Sequence, residues 1–344
     1  MSARECVIPV FVPHLGCPND CVFCNQRRIS GSTKPATAED VDKAIDAAAA
    51  LLPAGAKRQL AFYGGSFTAI PVPDQLALLS AAKRRMDAGD IHALRLSTRP
   101  DAIDGAVLKR LGEYGVETIE LGAQSMCDEV LALSGRGHTA LDVENASRMI
   151  KSAGFRLILQ MMTGLPGDTK VRSVETARRI IALKPDGVRI YPTVIVRDTA
   201  LYDLWCVGHY EEHTVDTAVD YCAELVPLFD KAGIPIIRMG LNPTEELSGG
   251  AAAGGAYHPA LGELVKSRIM LNSARAVLAA AHIPPHSAVT LGVNAKRISQ
   301  MTGQHKSNIS ALSEEFALAS LKIRPADVPE GNIAILSVET GEKV

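Results

Sequence analysis

No apolar run in the 344 residues approaches the length that a bilayer-spanning helix requires, and the alanine-rich stretch 47–52 is far too short. No strong net charge is present either. Thirty-six Lys and Arg against 38 Asp and Glu leave a formal charge of −2, so bulk electrostatic attraction to nucleic acid is not expected and DNA is not an expected partner. A local basic patch stays open. There is no internal repeat and no low-complexity tail. Met1–Pro9 carries Glu5 and turns at once into a strand-like run, so no secretory signal is expected and the cytoplasm is the expected compartment. Seven cysteines are an odd number, with three crowded into eight residues, which does not suit a disulfide framework. What is present suits a folded α/β chain: 47% apolar residues supply a sizeable core, and 22% charged residues are ordinary for a soluble protein.

The first three-quarters alternates short β-rich runs with amphipathic stretches. Strands are expected at Cys6–Val12, Gln59–Tyr63, Ala93–Ser97, Thr118–Leu121, Leu157–Met161 and Gly187–Tyr191. Helices are expected between them, at Ala38–Leu52, Pro73–Asp87, Asp104–Tyr114, Leu141–Ala153 and Val171–Leu183. Such alternation implies right-handed βαβ units around a parallel sheet. Six units favour an α/β fold built as an incomplete (β/α)6, TIM-like barrel over residues 1–240. A smaller α+β C-terminal extension is expected over 241–344, where Ser248–Ala256 reads as a loop, Pro259–Ala281 and Ser307–Leu318 as helices and Ile333–Val338 as a terminal strand. The unusual residues fall just after the expected strands: the cysteine loop, Gly64-Gly65-Ser66, Ser97-Thr98-Arg99, Gln124-Ser125 and Gly164-Leu165-Pro166-Gly167. Ligands bind at the carboxyl ends of parallel strands, so these loops suggest one convergent site.

The cysteine loop reads His14-Leu15-Gly16-Cys17-Pro18-Asn19-Asp20-Cys21-Val22-Phe23-Cys24-Asn25-Gln26. Cys-x3-Cys-x2-Cys supplies three thiolates for a 4Fe–4S cluster and no fourth, which leaves one iron open to an outside ligand. The amino and carboxylate groups of S-adenosylmethionine (SAM) suit that position. A structural zinc site would need four ligands at paired spacings, and only His14 offers a nearby fourth. Cys17, Cys21 and Cys24 are therefore the expected cluster ligands, while Cys6, Cys127, Cys206 and Cys222 read as inert residues in apolar contexts.

This motif, with Phe23 just before the last cysteine, resembles the signature of the radical SAM superfamily. The resemblance implies an incomplete (β/α)6 barrel, Phe23 near the adenine, and a Gly-Gly motif after the second strand that meets the amino group of SAM. Here that motif is Tyr63-Gly64-Gly65-Ser66-Phe67-Thr68, with Ser66 where many members carry Glu. Further segments, Ser97-Thr98-Arg99-Pro100-Asp101, Glu120-Leu121-Gly122-Ala123-Gln124-Ser125, Arg136-Gly137-His138-Thr139, Gln160–Gly167 and Asp186–Thr193, look like the radical SAM half of the Elongator catalytic subunit. The resemblance runs from about Val10 to Tyr210 and implies chemistry on wobble uridines of tRNA. The residues after 240 are too few for that family's acetyltransferase domain, and its basic N-terminal extension has no counterpart. A stand-alone Elongator-like, transferase-like radical SAM protein is therefore the expectation. Its reductant would be flavodoxin- or ferredoxin-like, and its substrate tRNA or another nucleotide-like molecule. A small metabolite or tetrapyrrole as substrate, or a non-catalytic cluster- or cofactor-binding chaperone, are the competing readings.

The cofactor-binding candidates are Phe23, Asn25, Gly64, Gly65, Ser66, Ser97, Arg99, Gln124, Ser125, Gln160 and Leu165. Arg99 suits the SAM carboxylate by bidentate pairing, or equally an ion pair with Asp101. Gln124 and Ser125 suit ribose hydroxyls, or a satisfied turn. Gln160 and Met162 share one side of the fifth strand, and Met161 takes the other. Leu165, between Gly164 and Gly167, can pack on adenine or simply turn the chain. Arg136, Tyr191, Arg197 and Tyr257-His258 are substrate-side candidates, each with a structural alternative. The basic stretch Lys296–Lys306 could meet phosphates, although a solvated helix face explains it as well.

Overall fold

The structure, a computed structural model, describes residues 5–12, 21–25, 35–51, 56–244 and 247–340. Cys17 and His14 lie outside the described residues. Two compact units are present. The first comprises Met1–Ala218 and Leu225–Pro259, and the second Val219–Glu224 and Ala260–Val344.

The first unit is built on seven parallel strands in the order β1-β2-β3-β4-β5-β6-β8, curled into an unclosed barrel. They are β1 Glu5–Val12, β2 Lys57–Gly64, β3 Ala93–Thr98, β4 Val116–Gln124, β5 Arg156–Thr163, β6 Gly187–Pro192 and β8 Ile236–Met239. Six match the expected strands, and β8 is an addition. Its four residues follow the helix Val215–Lys231 and gain strand character by pairing with β6, with Val188 against Ile236 and Ile190 against Met239.

Residues pointing outward from the strands, such as Leu60, Phe62, Leu94, Leu96, Ile119, Leu121, Leu157 and Leu159, are at most 1% exposed. Parallel strands covered on both faces read as nearly continuous apolar runs, as these do. The covering helices begin where side chains can satisfy their first N–H groups. Asp104 accepts from Val107 N–H, and Thr139 forms a capping box with Asp142.

The stretch expected to be a loop, Ser248–Ala256, contains a single helical turn, Leu247–Ala251, and the strand β9, Ala252–Gly255. β9 pairs antiparallel with β7, Val194–Val196. That ladder ties residues beyond 240 to the first unit, so the compact units divide later than a boundary at 240. Glycine and alanine alone read as flexible; a partner strand with unpaired backbone groups makes them a ladder.

The second unit carries three strands, β10 Ala288–Val293, β11 Ser320–Pro325 and β12 Ile333–Glu339, in a sheet of order β11-β10-β12. Its core gathers Leu271, Ala274 and Leu278 of the helix Leu261–Ala280 with Val289, Leu291 and Val293 of β10. Among the described residues no helix is long and apolar enough to cross a membrane.

Candidate active site

A cavity of about 540 Å³ opens at the carboxyl ends of the barrel strands. Cys21, Phe23, Cys24, Gly64, Gly65 and Ser66 line one part of it, and Ser97, Gln124 and Gln160 another. The expected convergence of the post-strand loops is thus realised at nine of the candidate positions.

Cys21 and Cys24 sit on a tight turn closed by the Cys24 N–H donating to the Cys21 carbonyl at 3.0 Å. The turn is held from two sides. Val22 N–H donates to the Ser134 carbonyl at 3.1 Å, and the Val22 carbonyl accepts from Leu201 N–H at 2.7 Å. Val22 and Phe23 also pack against the buried cluster of Ile195, Leu201 and Tyr210. Arg136, 9% exposed, donates from Nη1 to the Cys21 sulfur at 3.3 Å and from Nη2 to the Gly122 carbonyl at 2.9 Å. Gly122 keeps that side open, because a Cβ there would stand 2.9 Å from Gln124 Nε2 and 3.3 Å from Arg136 Nη2.

The Gly-Gly turn is fixed to the same region. Gly65 N–H donates to the Val12 carbonyl at 2.8 Å, and Gly64 adopts φ 108°, a conformation that side chains disfavour. A Cβ at Gly64 would also meet the Val12 carbonyl oxygen at 3.2 Å, so only glycine lets the end of β2 close on the end of β1. Gln124 is held at φ 64°, left-handed for a non-glycine residue, and its Oε1 accepts from Gln160 Nε2 at 3.2 Å. Strain at a strand end beside a cavity is characteristic of functional positions.

Four cofactor candidates stand away from the cavity lining. Arg99, 2% exposed, pairs with Asp101 and donates from Nη2 to the Arg136 carbonyl at 2.6 Å, which braces the residue that reaches Cys21. Ser125 accepts from Cys127 N–H at 3.1 Å and meets Thr176, holding a turn. Leu165 is buried in the turn after β5, and Asn25 donates to the Asp198 carbonyl at 3.2 Å. Of the substrate-side candidates, Arg136 and Tyr191 line the cavity, whereas Arg197 donates to the Gly250 carbonyl and to Tyr202 Oη, each at 3.1 Å. Tyr257 meets Ser248 at 2.9 Å. In the basic stretch, Lys296 and Arg297 both pair with Glu330, as a solvated face would.

The strand whose facing the sequence left open is now decided: Gln160 and Met162 look into the cavity, and Met161 is fully buried on the other side. Deeper on the strands lies a charged network that sequence reading missed. Glu120 Oε1 accepts from Tyr63 Oη at 2.8 Å, Arg95 Nη1 at 2.9 Å and Arg189 Nη2 at 3.0 Å, and its Oε2 accepts from Arg189 Nε at 2.7 Å. Arg95 also donates to Gln59 at 2.9 Å. Burial, and then the Glu120 carboxylate, push the Tyr63 phenol above its usual range, so it stays protonated. A signal was present: Arg95, Glu120 and Arg189 are single charges inside apolar runs, where one period-2 face must enter the barrel.

Two family models match the chain, the Radical SAM superfamily over residues 11–180 and the Radical_SAM C-terminal domain over 185–270. This chain belongs to the radical SAM superfamily. Among curated relatives, Elongator complex protein 3 of Danio rerio is 34% identical over 138 residues, covering 39% of this chain and 25% of the relative. The tRNA uridine(34) acetyltransferase of Methanocaldococcus jannaschii is 30% identical over 141 residues, covering 39% and 26%. The matched region thus spans about a quarter of the length of these relatives. Among solved structures, the archaeal Methanocaldococcus infernus Elp3 with an N-terminal deletion superposes with a TM-score of 0.62. It is 21% identical and covers 84% of this chain and 71% of that one, a likeness of fold. The homology to the radical SAM region of the Elongator proteins and the incomplete barrel agree with what the motifs implied.

The described part of the radical SAM loop suits an iron–sulfur cluster. Two soft thiol donors share a turn at the cavity rim, a guanidinium supports one of them, and among the described residues no third His, Cys, Asp or Glu completes a metal-holding group. Cys17, the remaining cysteine of the motif, is outside the described residues.

Proposed function

We propose that this chain holds a 4Fe–4S cluster through Cys17, Cys21 and Cys24 and cleaves SAM reductively, starting a radical modification of a substrate in the barrel cavity. The observation that carries the reading is the meeting of Cys21 and Cys24 with Gly64-Gly65-Ser66, Gln124 and Gln160 around one cavity. When bound, the cluster would supply the electron that breaks the carbon–sulfur bond of SAM, delivered by a flavodoxin- or ferredoxin-like reductant. The chain's own work is positional. Phe23 offers an aromatic face for adenine, and the Gly64-Gly65 backbone leaves room for the methionine amino group. Gln124 and Gln160 present amides to the ribose, and Arg136 donates to the Cys21 sulfur while Arg99 braces Arg136.

The substrate class favoured is nucleotide-like, tRNA included, because the relatives that share the barrel motifs include one named for tRNA uridine(34). Anaerobic reconstitution with iron and sulfide, followed by reduction in the presence of SAM, tests the core of the reading. The expected result is a cluster spectrum and 5′-deoxyadenosine, with both lost in Cys24→Ala. A wild-type protein that yields a cluster but no 5′-deoxyadenosine would leave the chaperone reading standing instead. Nucleoside analysis of tRNA from a deletion strain tests the substrate class, and an unchanged profile would remove tRNA.

A further inference from the structure

The network around Glu120 contains more positive than negative charge. One carboxylate, 4% exposed, faces two guanidiniums, those of Arg95 and Arg189. Arg238 is the Cα partner of Arg189 on β8 and adds a third, which donates to the Gly240 carbonyl at 2.9 Å and has no carboxylate partner among the described residues. Glu120 is fully engaged with its neighbours: Oε1 accepts three donors, from Tyr63, Arg95 and Arg189, and Oε2 accepts Arg189 Nε–H. It is therefore neither a free base nor able to neutralise a second cation. Tyr63 is neutral and supplies no charge. A partly buried surplus cation is costly unless an anion comes to it.

The donors left over are specific. Arg189 spends Nε and Nη2 on Glu120 and Tyr63, while its Nη1 has only a 3.4 Å contact with Tyr191 Oη. Since Tyr191 Oη accepts in that contact, its own O–H remains to be given. Both residues line the cavity, on alternate positions of β6, so an N–H and an O–H lie side by side at its wall. That spacing suits two oxygens of one carboxylate or phosphate. Across β5 and β6, Arg189 is the Cα partner of Gln160 and Tyr191 that of Met162, so the pair lies on the β6 wall of the same cavity.

From this geometry we infer that Arg189 Nη1 and Tyr191 Oη form a binding subsite for an anionic group, a phosphate or a carboxylate, on the molecule that enters the barrel. The inference deepens the reading of this cavity as the reaction chamber and rests on it for the word substrate. Anion binding is measurable without turnover, so the two can fail separately.

The test is calorimetric titration of the reconstituted protein with inorganic phosphate and, in a second arm, with succinate, each with and without saturating SAM. Saturable one-site binding that persists with SAM present is expected, and the tighter of the two probes identifies the group. Arg189→Met should weaken it about tenfold or more, the equivalent of one lost charged pair. That variant leaves Glu120 paired with Arg95, so it strands no carboxylate; Tyr191→Phe should weaken binding less. Absence of saturable binding in the wild type, competition between the anion and SAM, or full affinity in Arg189→Met would each overturn the inference. Missing 5′-deoxyadenosine alongside intact anion binding would count against the radical reading alone.

Discussion

In the first unit, the space inside the curled sheet holds Glu120, Arg95, Arg189, Gln59 and Tyr63, joined by hydrogen bonds. In the second unit, the space between sheet and helices holds Leu271, Ala274, Leu278, Val289, Leu291 and Val293. Its ions stay outside, where Lys296 and Arg297 share Glu330. A chain able to build the apolar kind of core has no need of buried ions for stability alone, because such pairs lose much of their attraction to desolvation. Keeping a carboxylate between guanidiniums inside the barrel therefore points to use. The apolar core of the second unit needs no such explanation beyond packing.

The contrast can be broken at several points. The largest effect is expected from Glu120→Ala, which leaves two buried guanidiniums without their carboxylate and should lower stability by about 3–5 kcal/mol. Urea unfolding of the variant checks it, and a loss no greater than that of a surface substitution would show that the network is not truly desolvated. Leu291→Ala, at a fully buried site in the second unit, should cost about 2–5 kcal/mol through its cavity, with no loss of phosphate binding.

Acid sharpens the contrast differently. Burial holds His213 down to about 4, and burial with the nearby Arg136 holds His138 down to about 4. Both stay neutral in the fold, whereas the unfolded chain protonates them near 6.5. Between those values the unfolded state binds more protons, so stability present above pH 6.5 is lost as pH falls toward 4, by up to about 3 kcal/mol for each histidine. Denaturation midpoints across that range check the slope; a flat profile would mean that the imidazoles are hydrated.

Arg136→Met should cost about 1–3 kcal/mol by leaving the Gly122 carbonyl unpaired and, with the proposed cluster bound, should move its potential to more negative values. The N–H bond to Cys21 favours the more negatively charged reduced state, and the variant loses it. A redox titration followed by electron paramagnetic resonance would detect this, and an unmoved potential would reduce Arg136 to a brace for Gly122. The smallest effect belongs to Glu330→Gln, whose partners are solvated and for which no change in the unfolding midpoint is expected.

Much of the first unit was legible because its signals are local. β-branched and leucine-rich runs mark strands buried on both faces, and Asp104 and Thr139 announce helix starts. Gly64-Gly65 marks a turn whose first residue, at φ 108°, disfavours any side chain. The strands β7, β8 and β9 were not legible. They have three or four residues each, and their identity comes from the partner they pair with. Arg99 shows the same limit at a side chain. Its charge suited a carboxylate of SAM as well as one of Asp101, and only the packing that brought the Arg136 carbonyl to its Nη2 placed it behind the site.

The three-cysteine motif and the Gly-Gly turn were thus readable from order and spacing, because a loop wrapping a cluster and a backbone at positive φ each constrain residues that are neighbours in the chain. What the tertiary structure alone decided is the chamber beneath them. Tyr63, Arg95, Glu120 and Arg189 come from four strands separated by up to 126 residues, between Tyr63 and Arg189. No local pattern relates them. Their surplus of charge exists only once the sheet has curled and turned one face of every strand away from water.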